Sequence, residues 1–169
     1  ICNWVKLKNK ETGKQFVFAS VHYSTDSNEV SGARIKSAAV MTTQLKKAAG
    51  SLPIICVGDY NMGRNSDEYN ALVQGGLLSN LNEDLSYYDT EREYDNHTTS
   101  GGYKLDASSF NENGEAIGGG IIDFVMISSS DTGVYPMSYK VLQERYGGNY
   151  VAHGIVSDHF GVLAEVVIV

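Results

Sequence analysis

The period of the hydrophobic pattern changes several times along the chain. Trp4 to Leu7 and Gln15 to Val21 are rich in aromatic and β-branched residues, and Asn9 to Lys14, with Thr12-Gly13, carries turn chemistry between them. A β-hairpin is the natural reading. The second run ends at His22-Tyr23 and breaks into the polar stretch Ser24 to Asn28. From about Ser31 to Ala49, positions Ile35, Ala38, Ala39, Thr42, Leu45 and Ala49 recur at helical spacing. Lys46 and Lys47 suit the last turn of that helix, Gly50 its C′ position, and Pro53 follows. Ile54-Ile55-Cys56-Val57 is apolar without a break, as in a strand buried on both faces, and it stops at Gly58-Asp59-Tyr60-Asn61.

Beyond that point Ser66 is placed to cap a short helix, with Asp67 and Glu68 in its first turn and Gly75-Gly76 ending it. Asn80 to Gly120 is polar and reads as loop, with one short strand over His97 to Ser100. Gly118-Gly119-Gly120 leads into an apolar strand, Ile121 to Ile127. Pro136 to Leu142 alternates Met137, Tyr139 and Val141, a half-exposed strand, and Val162 to Val169 reads as a buried one. There is no internal repeat. Strand–helix–strand followed mostly by strands predicts an α/β (α+β) layering with helices covering one face of a sheet.

Composition narrows the class. Of 169 residues 42% are hydrophobic, 20% are charged and two are proline, which describes a globular chain able to bury a core. No apolar run is long enough to span a bilayer, and no secretory or transit segment is visible. The net charge of −7 disfavours a broad electrostatic grip on nucleic acid, while leaving room for a local basic groove or a metal-mediated contact with phosphate. Two cysteines are too few for a disulfide framework. Cys56 reads as a buried free thiol; a Cys2–Cys56 bridge is the alternative. The sequence does not indicate a compartment. The chain opens at Ile1 without an initiator Met, as expected of a processed or excised piece.

The informative feature is where polar side chains interrupt apolar strands. His22 ends the second run, Asp59 and Asn61 follow the third, Asp123 breaks Ile121-Ile122-Asp123-Phe124-Val125, and Asp158-His159 precedes the last strand. Singly, an Asp after a strand is most often a turn former. Asp123 is harder to explain that way, because a carboxylate inside a strand needs a partner. As a set, these groups suit phosphoester hydrolysis. Asp158 and Asp59 are hard oxygen donors for Mg²⁺ or Mn²⁺, and Asn61 can orient water or a substrate oxygen. His159 can donate to a phosphoryl oxygen or act as a base, with Asp123 holding its other nitrogen.

The order and spacing of Val21-His22, Gly58-Asp59-Tyr60-Asn61, Ile122-Asp123-Phe124-Val125 and Ser157-Asp158-His159-Phe160-Gly161-Val162 resemble the endonuclease/exonuclease/phosphatase superfamily. The Trp4 strand and Arg34 in the long helix also look like features of that family. The resemblance covers essentially the whole chain. It implies part of a four-layer α/β/β/α sandwich, with a mixed, mostly antiparallel sheet and helices on the outer face. It further implies that Asp59 orients or deprotonates the attacking water and that Asn61 contacts the phosphate and helps place that water. Asp158 would be a metal ligand, with Asp59 and Asn61 beside the ion. His159, paired with Asp123, would contact the phosphate, and His22 would stabilise charge on its other side. The expected cofactor is Mg²⁺ or Mn²⁺.

Members of that family carry an earlier segment with an Asn and a metal-binding Glu, and nothing before Trp4 matches it. The expectation is therefore that residues 1–169 form one domain unit, the C-terminal portion of a larger domain. Its apolar face would pair with the N-terminal half or with a second copy. The expected activity is Mg²⁺-dependent hydrolysis of a phosphodiester or phosphomonoester. Small phosphoesters or lipid head groups are favoured over nucleic acid by the negative charge. The alternative is a catalytically inert binding module that retains the fold.

Overall fold

A computed structural model describes residues 1–25, 31–88, 99–100, 112, 119–128, 130–142 and 157–169. The elements run β1 (Cys2–Lys8), β2 (Gln15–His22), α1 (Ser31–Ala49), β3 (Ile54–Asp59), α2 (Asp67–Val73), β4 (Leu78–Asn80), α3 (Leu81–Tyr88), β5 (Asp123–Ser128), β6 (Val134–Leu142) and β7 (Gly161–Ile168). A five-stranded sheet has the order β1-β2-β3-β5-β4, and β6 and β7 form a separate two-stranded sheet. Among the described residues only β2 and β3 pair in parallel, joined through α1; the other strand pairings are antiparallel. The mixed, mostly antiparallel sheet is the expected one.

Strand periodicity divides the core into two halves. Val17, Ala19 and Val21 of β2, Ile54 and Cys56 of β3, and Phe124 and Met126 of β5 pack against α1 and α2. The helices answer with Ala38, Met41, Leu45 and Ala49, and with Tyr69 and Leu72. The alternate positions Ile55, Val125 and Ile127 face the other way, onto Leu81 and Leu85 of α3 and Val134, Tyr139 and Val141 of β6. This is why Ile54 to Val57 is apolar without interruption. The described residues form three layers: helices, the five-stranded sheet, and the β6–β7 pair with α3.

The helix ends follow their sequence signals. Gly50 adopts φ +64° and donates its N–H to the Lys46 carbonyl at 3.0 Å, closing α1. The Ser66 hydroxyl accepts from the Tyr69 N–H at 3.1 Å and caps α2. Arg34, on α1, reaches the Glu68 carboxylate of α2 at 3.1 Å and ties the two helices together. Both cysteines are free, and burial pushes the Cys56 thiol up to about 12.

Three expectations change. The last strand is not buried: β7 pairs only with β6 among the described residues, and Leu163, Val167 and Val169 are exposed. Its inward set, Val162, Ala164, Val166 and Ile168, is partly buried, so the apolar run conceals a one-sided strand. α3 lies in the stretch expected to be loop, and β4 ends on its first residue, Asn80; the α3 anchors Leu81 and Leu85 are fully buried but separated by polar residues. Of the expected strand over His97 to Ser100, His97 and Thr98 lie outside the described residues, and Ser100 makes isolated bridges to Gly120 and His159.

Candidate active site

Three polar side chains fall in one row across the sheet. β2 and β3 run parallel and end together, with His22 opposite Asp59; β5 runs antiparallel and begins there, with Asp123 opposite Asp59. Their neighbours Val21 and Phe124 point toward α1 and α2. By strand alternation the row points to the opposite face, toward the β6–β7 sheet. The start of β7 brings His159 to the same place. Its Nδ1 lies 2.8 Å from Asp123 Oδ2, and its Nε2 lies 3.8 Å from Asp59 Oδ2. From the other side, His22 Nε2 approaches Asp59 Oδ2 at 3.6 Å. Asp59 thus lies between two imidazoles. The His22 side chain is 65% exposed, whereas Asp59 and Asp123 are 18% and His159 26% exposed. His22 stands at the mouth of a site whose floor is partly shielded.

Local backbone geometry builds this floor. Gly58 has φ +140°, and a Cβ there would collide with the Val21 backbone, so only glycine lets β3 pass β2 at this point. Asn61 adopts φ +49°, a left-handed conformation that Asn tolerates. Its backbone N–H donates to Asp59 Oδ1 at 2.8 Å. Its side-chain Nδ2 donates to Asp59 Oδ2 at 3.2 Å and to the Tyr23 carbonyl at 2.9 Å. Asn61 therefore orients the Asp59 carboxylate and joins it to the segment after His22. The Tyr23 N–H donates to the Asp59 carbonyl at 3.0 Å, and the Tyr60 N–H to the Ile122 carbonyl at 2.9 Å, so the three strand ends are stitched together.

Thr99 carried no signal in the sequence. It is fully buried, and its hydroxyl oxygen accepts from the Ile122 and Asp123 N–H groups at 3.0 and 3.1 Å. A buried hydroxyl in a polar segment has no periodicity to reveal it; only its backbone partners do.

Burial pushes the Asp123 carboxyl above its ordinary value, against the lowering effect of the Thr99 and His159 hydrogen bonds, and the Asp59 charge adds to the rise. Burial disfavours the charged imidazole of His159, but the Asp123 bond and the charges of Asp123, Asp59 and Asp158 outweigh it, so His159 titrates above the usual histidine value.

Among the described residues, Asp59, Asp123 and His159 can offer ligand atoms within 4.8 Å of one another to a metal ion. Asp158 adjoins His159 in sequence, stands outside that cluster and acts on the imidazole through its charge. Two carboxylate oxygens and an imidazole nitrogen are a donor set that a divalent cation could take. Cys56, the nearest thiol in sequence, is buried on the opposite face of the sheet. Of the residues expected from the sequence, His22, Asp59, Asn61, Asp123 and His159 converge within bonding or ion-pair distance.

No family model and no curated protein sequence matches the chain. Solved structures do. A mannosyl-6-phosphatase from Bacteroides thetaiotaomicron superposes with a TM-score of 0.77 at 27% identity, over 99% of this chain and 57% of that one. An endonuclease/exonuclease/phosphatase family protein from the same organism gives a TM-score of 0.75 at 28% identity, over 98% of this chain and 53% of that one. The human Nocturnin catalytic domain, solved with a bound sulfate anion, shares the fold with a TM-score of 0.67 at 17% identity, over 99% of this chain and 53% of that one. The chain spans a little over half the length of these structures.

Proposed function

We propose that this chain, a member of the endonuclease/exonuclease/phosphatase superfamily, carries the C-terminal part of a phosphoester hydrolase site that uses water as its nucleophile. The observation behind this is the placing of the Asp59 carboxylate between two imidazoles, one of them held by a second carboxylate. Asp59, oriented by Asn61, is the group that takes or directs the proton of the attacking water. Asn61 also contacts the phosphate. His159, kept charged by Asp123, donates to a phosphoryl oxygen, and His22, at the exposed mouth, neutralises charge from the other side. Asp158, with Asp59 and Asn61, would hold a divalent cation, and that ion would supply charge neutralisation at the phosphate. Mg²⁺ is the ion proposed, with Mn²⁺ as its substitute.

The likeness to a sugar-phosphate phosphatase and the net charge of −7 favour a small phosphoester over a long nucleic acid. The coverage of barely more than half of each neighbour supports reading residues 1–169 as the C-terminal portion of a larger domain. The exposed Val5 and Leu7 of β1 and Leu163 of β7 support a covering by further polypeptide. The test is release of product from a phosphomonoester and a phosphodiester by the whole protein with Mg²⁺. We expect turnover that a chelator abolishes and added Mg²⁺ restores; chelator-resistant turnover contradicts the metal assignment.

A further inference from the structure

Thr99 sits where three otherwise separate pieces of the site meet. Its hydroxyl oxygen accepts two consecutive amide protons, from Ile122 and from Asp123, which begins β5. Its own N–H donates to the Gly120 carbonyl at 3.1 Å, and its carbonyl accepts from the Phe160 N–H at 2.8 Å. Ser100, the next residue, bridges to both Gly120 and His159. One short segment therefore holds the residue before Phe160 and the residue after Ile122 in register, although Asp123 begins β5 of one sheet and His159 lies just ahead of β7 of the other. No side chain of the Asp123–His159 pair could supply this alignment, because the pair's 2.8 Å contact depends on where the two backbones already are.

We infer that Thr99 is a positioning residue: its buried hydroxyl fixes the start of β5, and its carbonyl fixes the start of β7, so that Asp123 meets His159 in bonding geometry. This rests on the hydrolase reading above only for its consequence in rate; the geometric claim stands on the hydrogen bonds. Two amides sharing one acceptor leave the hydroxyl proton to bond the Asp123 carboxylate, whose charge that bond favours, or the Gly120 carbonyl, 3.4 Å away. Valine has the shape of threonine and no acceptor, so Thr99→Val removes the amide partners without opening a cavity. Thr99→Ser keeps the oxygen and loses only a methyl group.

The experiment pairs steady-state kinetics with proton NMR of the His159 Nδ1–H, whose resonance moves downfield when it is bonded to a carboxylate. Thr99→Val is expected to lower kcat about 10²-fold with KM little changed, as for a displaced catalytic group. It should also lose the downfield resonance while still melting cooperatively, and Thr99→Ser should restore both. A Thr99→Val protein with parental kcat and an unchanged resonance overturns the inference. Amide hydrogen exchange on the unsubstituted protein gives a reading that needs no variant. Slow exchange at Ile122 and Asp123 supports the assignment, and exchange as fast as at an unbonded loop amide overturns it. Failure of the hydrolase reading is separable, since it shows as undiminished activity in Asp59→Ala and leaves the NMR and exchange results untouched.

Discussion

His159 lies with one ring nitrogen against Asp123 and the other facing Asp59, and its surroundings hold it above the ordinary histidine value of about 6.5. Its charged form is favoured in the folded protein. The stabilisation it contributes is therefore complete below about pH 6.5 and is lost as pH rises through its raised folded value. An NMR titration of the imidazole protons should show that raised midpoint, and Asp123→Asn should bring it down. An Asp123→Asn protein whose His159 titrates unchanged would show that the pair is not the cause. The site residues were legible where they broke an apolar run: Asp123 inside Ile121 to Val125, Asp59 after Val57. Thr99 was not, because its neighbours are polar and its role lies in accepting backbone N–H groups. The pairing of Asp59 with both imidazoles was also hidden, since it depends on strand register.

Among the elements, β3 does most to place the chemistry, and Gly58 is its critical position. Gly58→Ala combines a positive φ with a collision against the β2 backbone and should destabilise the fold by about 2 kcal/mol or more. Gly63→Ala meets nothing within 4 Å and is the matched control, expected to change stability by less than about 0.5 kcal/mol. Urea unfolding of both variants checks the contrast. The α1–α2 tie carries a second expectation. Arg34→Ala leaves the Glu68 carboxylate, 9% exposed, with its backbone and Ser66 hydrogen bonds but without its cation and should destabilise the fold by about 1–2 kcal/mol. Arg34 also donates to the Ser24 carbonyl at 3.2 Å, so the loss should loosen the segment after His22. The long helix, its glycine stop and the β3 run were readable because their periods are long or unbroken. α3 was missed because Leu81 and Leu85 repeat only once, and β7 was misjudged because an apolar run does not reveal that one of its faces is uncovered.

At the scale of the molecule, three layers bring residues from β2, β3, β5 and the segment before β7 together at one end of the central strands. Motif order along the chain anticipated this gathering, because each motif ends or begins a strand and sequential strands pack beside one another. The layering itself was only partly legible: the sequence shows which strands are apolar but not that β6 and β7 leave the larger sheet to form their own. The three carboxylates Asp59, Asp123 and Asp158 contribute to the −7 charge and sit where an imidazole and a divalent cation would offset them. In the proposed phosphoester hydrolysis Asp59 activates the attacking water. The most direct test is the kcat of Asp59→Ala in the whole protein with Mg²⁺, measured beside its thermal melting. We predict a loss of about 10²- to 10⁴-fold with cooperative melting retained. A folded Asp59→Ala protein that hydrolyses phosphoesters at the parental rate would contradict it.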